Sequence, residues 1–477
     1  MTNTSPPNAA TLRSQRRSLL WRIHFWAALI ASPFALAAAL TGILYIFTPQ
    51  IEGVLYEKLD TVTPGATARP LDDAVAAAKQ AAPAGWALHS VVPAYKPTDS
   101  VRVAFTPPPS AKNAGAASGG HNHGGHNHGG APAAAPAQMD GAAKPAAFLR
   151  PNFGLPNNAV VQYVNPYTAE VLGSMVQGER FSNWSRKLHS NYLQNDNWRW
   201  MVELAASWLM VMLVTGVYLW WPQGKQGVLQ AALPQSSARG RVAWKQWHAF
   251  TGVALSVMSA VILTTGLTWS KYAGDQVRLA RDLTNQGSPR IPATIKSTVP
   301  ATGAPLTWQA AHEALRGEAP DISMQVMAPK GPDGVWRANQ MDKGQPERRF
   351  DLLLDAYTGQ RLYYSGWDKQ TAFGKATAIG IPFHRGEFGW WNQALLFIFG
   401  LGVIFSIVSG WVMYFKRRAK GLAAMPALVP GAWKSASPYA VLGAVVMFVA
   451  MPLLALSAAL VAVVELGGWW FKRRALA

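Results

Sequence analysis

The chain has 477 residues, half of them apolar and 14% charged, a balance that points to a membrane protein with extramembrane parts. It contains no cysteine, which excludes disulfides, iron–sulfur clusters, thiolate zinc sites and covalently attached c-type haem. Its net charge of +19 would suggest nucleic acid in a soluble protein, but the Lys and Arg residues gather where apolar runs end. They read as topology signals facing a lipid bilayer, and no nucleic-acid partner is expected.

Five apolar runs reach the roughly 20 residues needed to cross about 30 Å of hydrocarbon. The first, Leu19 to Phe47, follows Arg13, Arg16, Arg17 and Arg22, so residues 1–47 read as a cytoplasmic N-terminus and a transmembrane helix. Ala37 and Ala39 imitate a signal-peptide cleavage site, but the run is too long for a signal's apolar region. It opens on Trp21-Arg22-Ile23-His24 and carries Thr41-Gly42 seventeen and eighteen positions after the histidine.

Residues 48–198 read as an outer α+β domain. Pro70-Leu71-Asp72-Asp73 opens an Ala-rich helix, and strands follow at Val101 to Phe105 and Val160 to Thr168. A Pro, Ala and Gly-rich insertion, 107–147, interrupts them with a composition that cannot pack a core and is expected to be disordered. It carries His121, His123, His126 and His128, candidate loose ligands for a transition metal. A linker with His189 then leads into the second span, 199–222, which ends in Thr215-Gly216.

The loop 223–247 is basic, with Lys225, Arg239, Arg241 and Lys245, and belongs inside. The third span, 248–269, starts at Gln246-Trp247-His248 and carries Thr265-Gly266 at the same two offsets as the first. Residues 270–388 repeat the outer order: Pro305-Leu306 before a helix reaching about Arg316, a strand at Phe350 to Leu354, a turn at Asp355 to Gly359, then His384. The fourth span, 389–416, carries Ser409-Gly410 and is followed by Lys416, Arg417, Arg418 and Lys420. A fifth segment, 437–471, contains Pro452, and simple alternation would leave Lys472, Arg473 and Arg474 outside, against the positive-inside rule. A tilted, kinked or re-entrant course therefore stays open for it.

The expected fold class is an α-helical membrane bundle of about five transmembrane helices, built as a tandem parallel repeat, with two outer α+β domains. Depth pairs His24 with His248 near the inner ends of their spans, and His189 with His384 just before outer ends. An ionisable side chain at membrane depth turns inward to a partner, and two neutral imidazoles on facing helices suit a bis-histidine b-type haem. Gly42, Gly252 and Gly266 would allow close packing of helices and porphyrin. Any one of these histidines reads as well as a snorkelling or hydrogen-bonded interfacial residue; four at repeated positions favour two haems. His89 and His312 read as structural.

The chain resembles the PepSY-associated transmembrane proteins, often described as iron-regulated inner-membrane proteins. The matching residues are Trp21 to His24 with Thr41-Gly42, Leu188-His189 with Trp200 to Pro222, Gln246-Trp247-His248, the turns at Tyr167 and Tyr357, and Phe383-His384 with Trp391-Asn392-Gln393. The resemblance implies PepSY-like domains in the periplasm, a bacterial inner-membrane location, and a haem-dependent reductase of ferric siderophores or other ferric chelates serving iron uptake. It also permits a non-enzymatic membrane sensor or partner-binding protein in metal homeostasis. No Gly-x-Gly-x-x-Gly fingerprint and no sizeable inner domain provide for a flavin or nicotinamide, so a membrane quinol or a separate protein is the expected electron donor.

Overall fold

A computed structural model describes residues 9–108, 148–149, 154–222, 227, 233–417 and 425–474. Most of the expected insertion, with His121, His123, His126 and His128, lies outside the described residues. Helix α1 (Ala9–Ile46) runs straight on into two short helices, α2 (Thr48–Leu55) and α3 (Glu57–Asp60). The first αββββ unit, outer only in the sense that it lies beyond the long helices, is α4 (Leu71–Ala81) with strands β1 (Ala87–Val92), β2 (Val101–Thr106), β3 (Val160–Val164) and β4 (Val171–Val176). Helices α5 (Phe181–Asn191) and α6 (Trp200–Trp220) follow, then α7 (Gly240–Ala254), α8 (Ser256–Leu267) and α9 (Tyr272–Leu283). The second outer unit is α10 (Trp308–Glu318) with β5 (Met324–Met327), β6 (Val335–Gln340), β7 (Asp351–Asp355) and β8 (Arg361–Ser365). The chain ends with α11 (Ala372–Arg385), α12 (Trp390–Arg417), α13 (Pro438–Ala450) and α14 (Pro452–Arg474).

The outer units are joined more closely than two separate domains would be. Their strands form one antiparallel sheet in the order β4-β3-β2-β1-β5-β6-β7-β8, joined where Val91 pairs with Val326. Alternating strand residues bury one face under the two helices: Val103 and Phe105 meet Val75 and Ala78 of α4, and Leu352 and Leu354 meet Leu315 of α10. The helices also cap each other. Asp72 accepts from the N–H groups of Trp308 and Gln309 at 2.9 and 3.0 Å, and Gln309 accepts from Leu71 N–H at 2.9 Å. A carboxylate at a helix N-terminus satisfies otherwise orphaned donors and meets the positive end of the helix dipole.

Among the described residues, four helices are long and apolar enough to cross a membrane: α1, α6, α12 and α14. α1 packs against α6 and α12, with Ala27, Ala31 and Ala35 buried at these contacts, as small residues allow close approach where helices lack a hydrophobic drive to associate. Leu40, Val214, Ile398 and Leu456 remain exposed, the face a bilayer would cover.

The third span differs from a single helix beginning at His248. Helix starts at Gly240, and α7 and α8 meet at a 58° bend around Leu255. No proline or glycine stands at Leu255; instead its side chain seats against Gly402 of α12, where a Cβ would lie only 2.1 Å from Leu255 Cδ1. The fifth segment is also two helices, turning at Met451-Pro452. Segment 427–435 is tied to the start of α1, since Gln15, Arg16 and Ser18 donate to the carbonyls of Pro430, Ser435 and Ala427. After the turn, α14 returns: Arg22 makes a two-pronged ion pair with Glu465 at 2.8 Å, and Trp26 donates to the same carboxylate. The C-terminal end of α14 thus shares the end of the bundle that holds Arg16 and Arg22. A simple fifth crossing would have put it at the other end.

The linkers before α6 and α12 are themselves helices, α5 and α11. The start of α5 is anchored by Arg180, which bonds Asp60 at 2.6 Å, Glu52 at 3.0 Å and the Tyr163 hydroxyl at 2.8 Å. These carboxylates hold the Arg180 pKa above its ordinary value despite burial, which acts the other way. Glu52 and Tyr56 also accept from the N–H groups of Ser182 and Phe181, so α2 caps α5.

Candidate functional site

His24 lies in α1, His248 in α7, His189 in the last turn of α5 and His384 in the last turn of α11. α5 ends where Tyr192 and Leu193 take left-handed φ of 53° and 63°, and α11 ends at Gly386 with φ 77°. Both ends turn the chain sharply and leave a histidine one turn back from it.

Each imidazole is gripped by a hydroxyl on another helix. His24 Nδ1 is 2.9 Å from Thr215 Oγ1, and His189 Nδ1 is 3.1 Å from Thr41 Oγ1. In the second half, His248 Nδ1 is 2.9 Å from Ser409 Oγ, and His384 Nδ1 is 3.0 Å from Thr265 Oγ1. The pattern is reciprocal within each half: the leading span's histidine meets the following span's hydroxyl, and the histidine before the following span meets the leading span's.

The hydroxyl protons are already committed. Thr41, Thr215 and Thr265 donate to carbonyls four residues back, at Ala37, Val211 and Val261, and Ser409 donates to Ser406. Each oxygen is therefore placed to accept, and each Nδ1 to donate. The carbonyls of Met212, Ala38, Ser406 and Ile262 stand beside the same rings as further acceptors. A neutral imidazole with its proton on Nδ1 carries its lone pair on Nε2. That is the tautomer a metal ligand needs, with a carbonyl or hydroxyl partner fixing the ring behind it.

The glycine after each hydroxyl makes room for the ring. A Cβ at Gly42, Gly216 or Gly266 would come within 3.3, 3.3 and 3.2 Å of Cε1 of His189, His24 and His384, and at Gly410 within 3.7 Å of His248 Cε1. Gly252, expected to ease packing, has no such neighbour within 4 Å among the described residues. Gly42 and Gly266 serve the imidazoles directly.

Thr215, Thr41, Ser409 and Thr265 are site residues that a reading of each span alone does not assign. Their signal was the repeated Thr-Gly or Ser-Gly pair, but the pair serves a histidine on a different helix. Between halves, His24 and His248 are close enough for the charge of one to act on the other, and so are His189 and His384. Burial pushes His384 down to about 4 and lowers His189, which favours the neutral ring at both.

A cavity of about 1550 Å³ opens over the second pair, bounded by His189, His384, Gly42, Gly266 and the underside of the outer sheet near Arg337 and Gln340. It exceeds the roughly 300–1,000 Å³ common for small-molecule pockets. Trp269 stands beside His384, ring centres 6.1 Å apart.

A family model described as the PepSY-associated TM region matches residues 21–417. The chain belongs to this family. No curated protein matches it. The match to the PepSY-associated TM region contains all four histidines and all four hydroxyl–glycine pairs.

The donor set fits a haem. Among the described residues no group of three or more His, Asp or Glu gathers to hold an ion by itself. A haem would ask the protein for two ligands, and a pair of Nε2 atoms would supply them. His24 with His248 would hold one haem, and His189 with His384 the other. His89 is of another kind: it bonds Ser90 at 2.9 Å in the outer sheet, where burial and Lys330 push it down to about 4.

Proposed function

We propose that the protein is a bacterial inner-membrane dihaem carrier that moves electrons outward to reduce a ferric chelate, such as a ferric siderophore, for iron uptake. The carrying observation is the fourfold seat of Nδ1 on a hydroxyl whose own hydrogen is directed to a helix carbonyl. Such a seat costs sequence freedom at twelve positions, and it leaves the Nε2 lone pair of each ring as the donor for a metal. In this reading the two halves are a tandem parallel repeat, each αββββ unit is a PepSY-like domain, and the sheet faces the periplasm. The basic ends of α1, α12 and α14 then lie inside, as the positive-inside rule asks.

Bound haem iron supplies reversible one-electron transfer between ferric and ferrous states. The chain's residues hold each ring in one tautomer, and the His189–His384 pair opens to the cavity. A quinol donor would lose two electrons and release two protons, so that two ferric chelates are each reduced to the ferrous state. Thr215 and Ser409 fix the entry layer; Thr41 and Thr265 fix the exit layer.

The test is a haem count. Purified wild type should carry two haems per chain with a Soret band that sharpens on reduction. The double variant His24→Ala/His248→Ala should keep one, and so should His189→Ala/His384→Ala, whereas the cross variant His24→Ala/His384→Ala should keep none. Wild-type protein from haem-replete cells that contains no haem would sink the reading.

A further inference from the structure

The walls of the cavity over His189 and His384 are strongly cationic. Eleven Lys and Arg line it against six Asp and Glu. The acids are largely spent within the protein. Asp282 pairs with Arg281, Asp351 with Arg337 and Glu387 with Arg385. Glu203 caps α9 by accepting from Tyr272 and Ala273 N–H, and Asp342 accepts from Gly344 N–H and Gln345.

Two of the cations are bonded to neutral groups. Arg186, one turn before His189, donates to the Asn183 side-chain carbonyl at 3.1 Å; Lys343 donates to the Gln340 carbonyl at 3.0 Å. Burial lowers the pKa of both. Arg385 and Arg199 add to the effect on Arg186, against Tyr45 and Asp196, while Arg349 leads the neighbouring charges acting on Lys343, against Asp351 and Glu387, and Lys343 falls to about 8. The lining therefore carries five more cations than carboxylates, eleven against six, and Arg186 and Lys343 spend hydrogen bonds on neutral groups, so an anionic ligand would balance the wall.

We infer that this cavity takes an anionic ferric chelate, with carboxylate or catecholate groups around the metal, in preference to a neutral or cationic hydroxamate chelate. The word ferric rests on the reductase reading; the charge preference rests on Arg186, Lys343 and the unbalanced wall. Carboxylates would also arrive on a bound haem, whose propionates could claim the same cations, and the experiment separates these two sources.

Full-length protein in nanodiscs, carrying its haem, is titrated with gallium citrate and with the gallium complex of a cationic trihydroxamate. Gallium(III) copies the size and charge of ferric iron but accepts no electron, so binding is read apart from reduction. Gallium citrate should bind at least about tenfold more tightly at low salt, and the margin should shrink as salt screens the site. Lys343→Gln and Arg186→Gln should each weaken gallium citrate about three- to tenfold, with the haem spectrum unchanged. Equal or tighter binding of the cationic complex overturns the inference. So does loss of the outer haem in both variants with gallium citrate affinity retained, since the cations would then serve the cofactor. Should gallium citrate bind as expected while ferric citrate fails to reoxidise the reduced protein, the charge preference stands and the reductase reading falls.

Discussion

His24 Nδ1 lies 2.9 Å from Thr215 Oγ1, and that oxygen has its own proton on the Val211 carbonyl 2.7 Å away. The contact joins α1 to α6 and sets the tautomer of the ring in one stroke. Thr215→Val keeps the side chain's shape and removes the acceptor, so the Nδ1 proton loses its partner and the ring its fixed orientation. Haem affinity at the inner layer should fall about 10- to 100-fold, the range seen when partners of metal-bound histidines are removed. Thr215→Ser should restore it. Haem dissociation followed by transfer to an apo-acceptor checks this; a valine variant that holds haem like wild type would strip the contact of its role.

The glycines make a second, separable claim. Gly266→Ala places a Cβ 3.2 Å from His384 Cε1, tight enough to displace the ring, whereas Gly252→Ala meets open space. The first variant should shift the midpoint potential or the absorbance of one haem, and the second should leave both unchanged. A redox titration of the two purified variants decides it, and an equal effect of both would remove the steric explanation.

How much of this was legible beforehand follows from where each signal lives. His24 and His248, with Thr41-Gly42 and Thr265-Gly266 at identical offsets, could be read because the same pattern stands twice in the sequence. The true partners could not, because the contact from His24 to Thr215 crosses between helices 191 residues apart in sequence. The bend at Leu255 has no local mark; it falls where that side chain seats against Gly402 on another helix. The two outer units could be seen as similar, yet their fusion into one sheet depends on a strand edge, and nothing in the alternation of Val91 or Val326 announces a partner. Pro452 did mark a break, but the return of α14 is dictated by Arg22 and Glu465, an ion pair spanning almost the whole chain.

Lys343 gives a pH prediction. Its neighbours are Arg349 and Arg385, which lower its pKa, and Asp351 and Glu387, which raise it, with burial the largest influence and a net value of about 8. The charged ammonium predominates below that value and is lost above it, so affinity for gallium citrate should drop as pH rises from 7 to 9. Lys343→Gln should flatten that step. An identical pH profile in wild type and variant would show that another group titrates.

The last prediction concerns direction. His24 and Thr41 are seventeen residues apart on α1, and a rise of 1.5 Å per residue puts the layers they mark roughly 25 Å apart in depth. Thr41 holds His189 at the cavity, while Thr215 holds His24 at the end bearing Arg16 and Arg22. If electrons enter at the His24–His248 layer and leave at the His189–His384 layer, His384→Ala protein should still be reduced at its inner haem. It should then pass electrons slowly to an external ferric chelate, because the layer at the cavity has lost the macrocycle that would extend toward the other layer and shorten the roughly 25 Å between them. Wild type and variant are reduced anaerobically, mixed with ferric citrate, and followed by haem absorbance. Reoxidation of the variant should be slower by orders of magnitude. Equal rates would mean that the inner layer reaches the acceptor by another route, and the outer pair, for all the care with which Thr41 and Thr265 seat it, would have no place on the path.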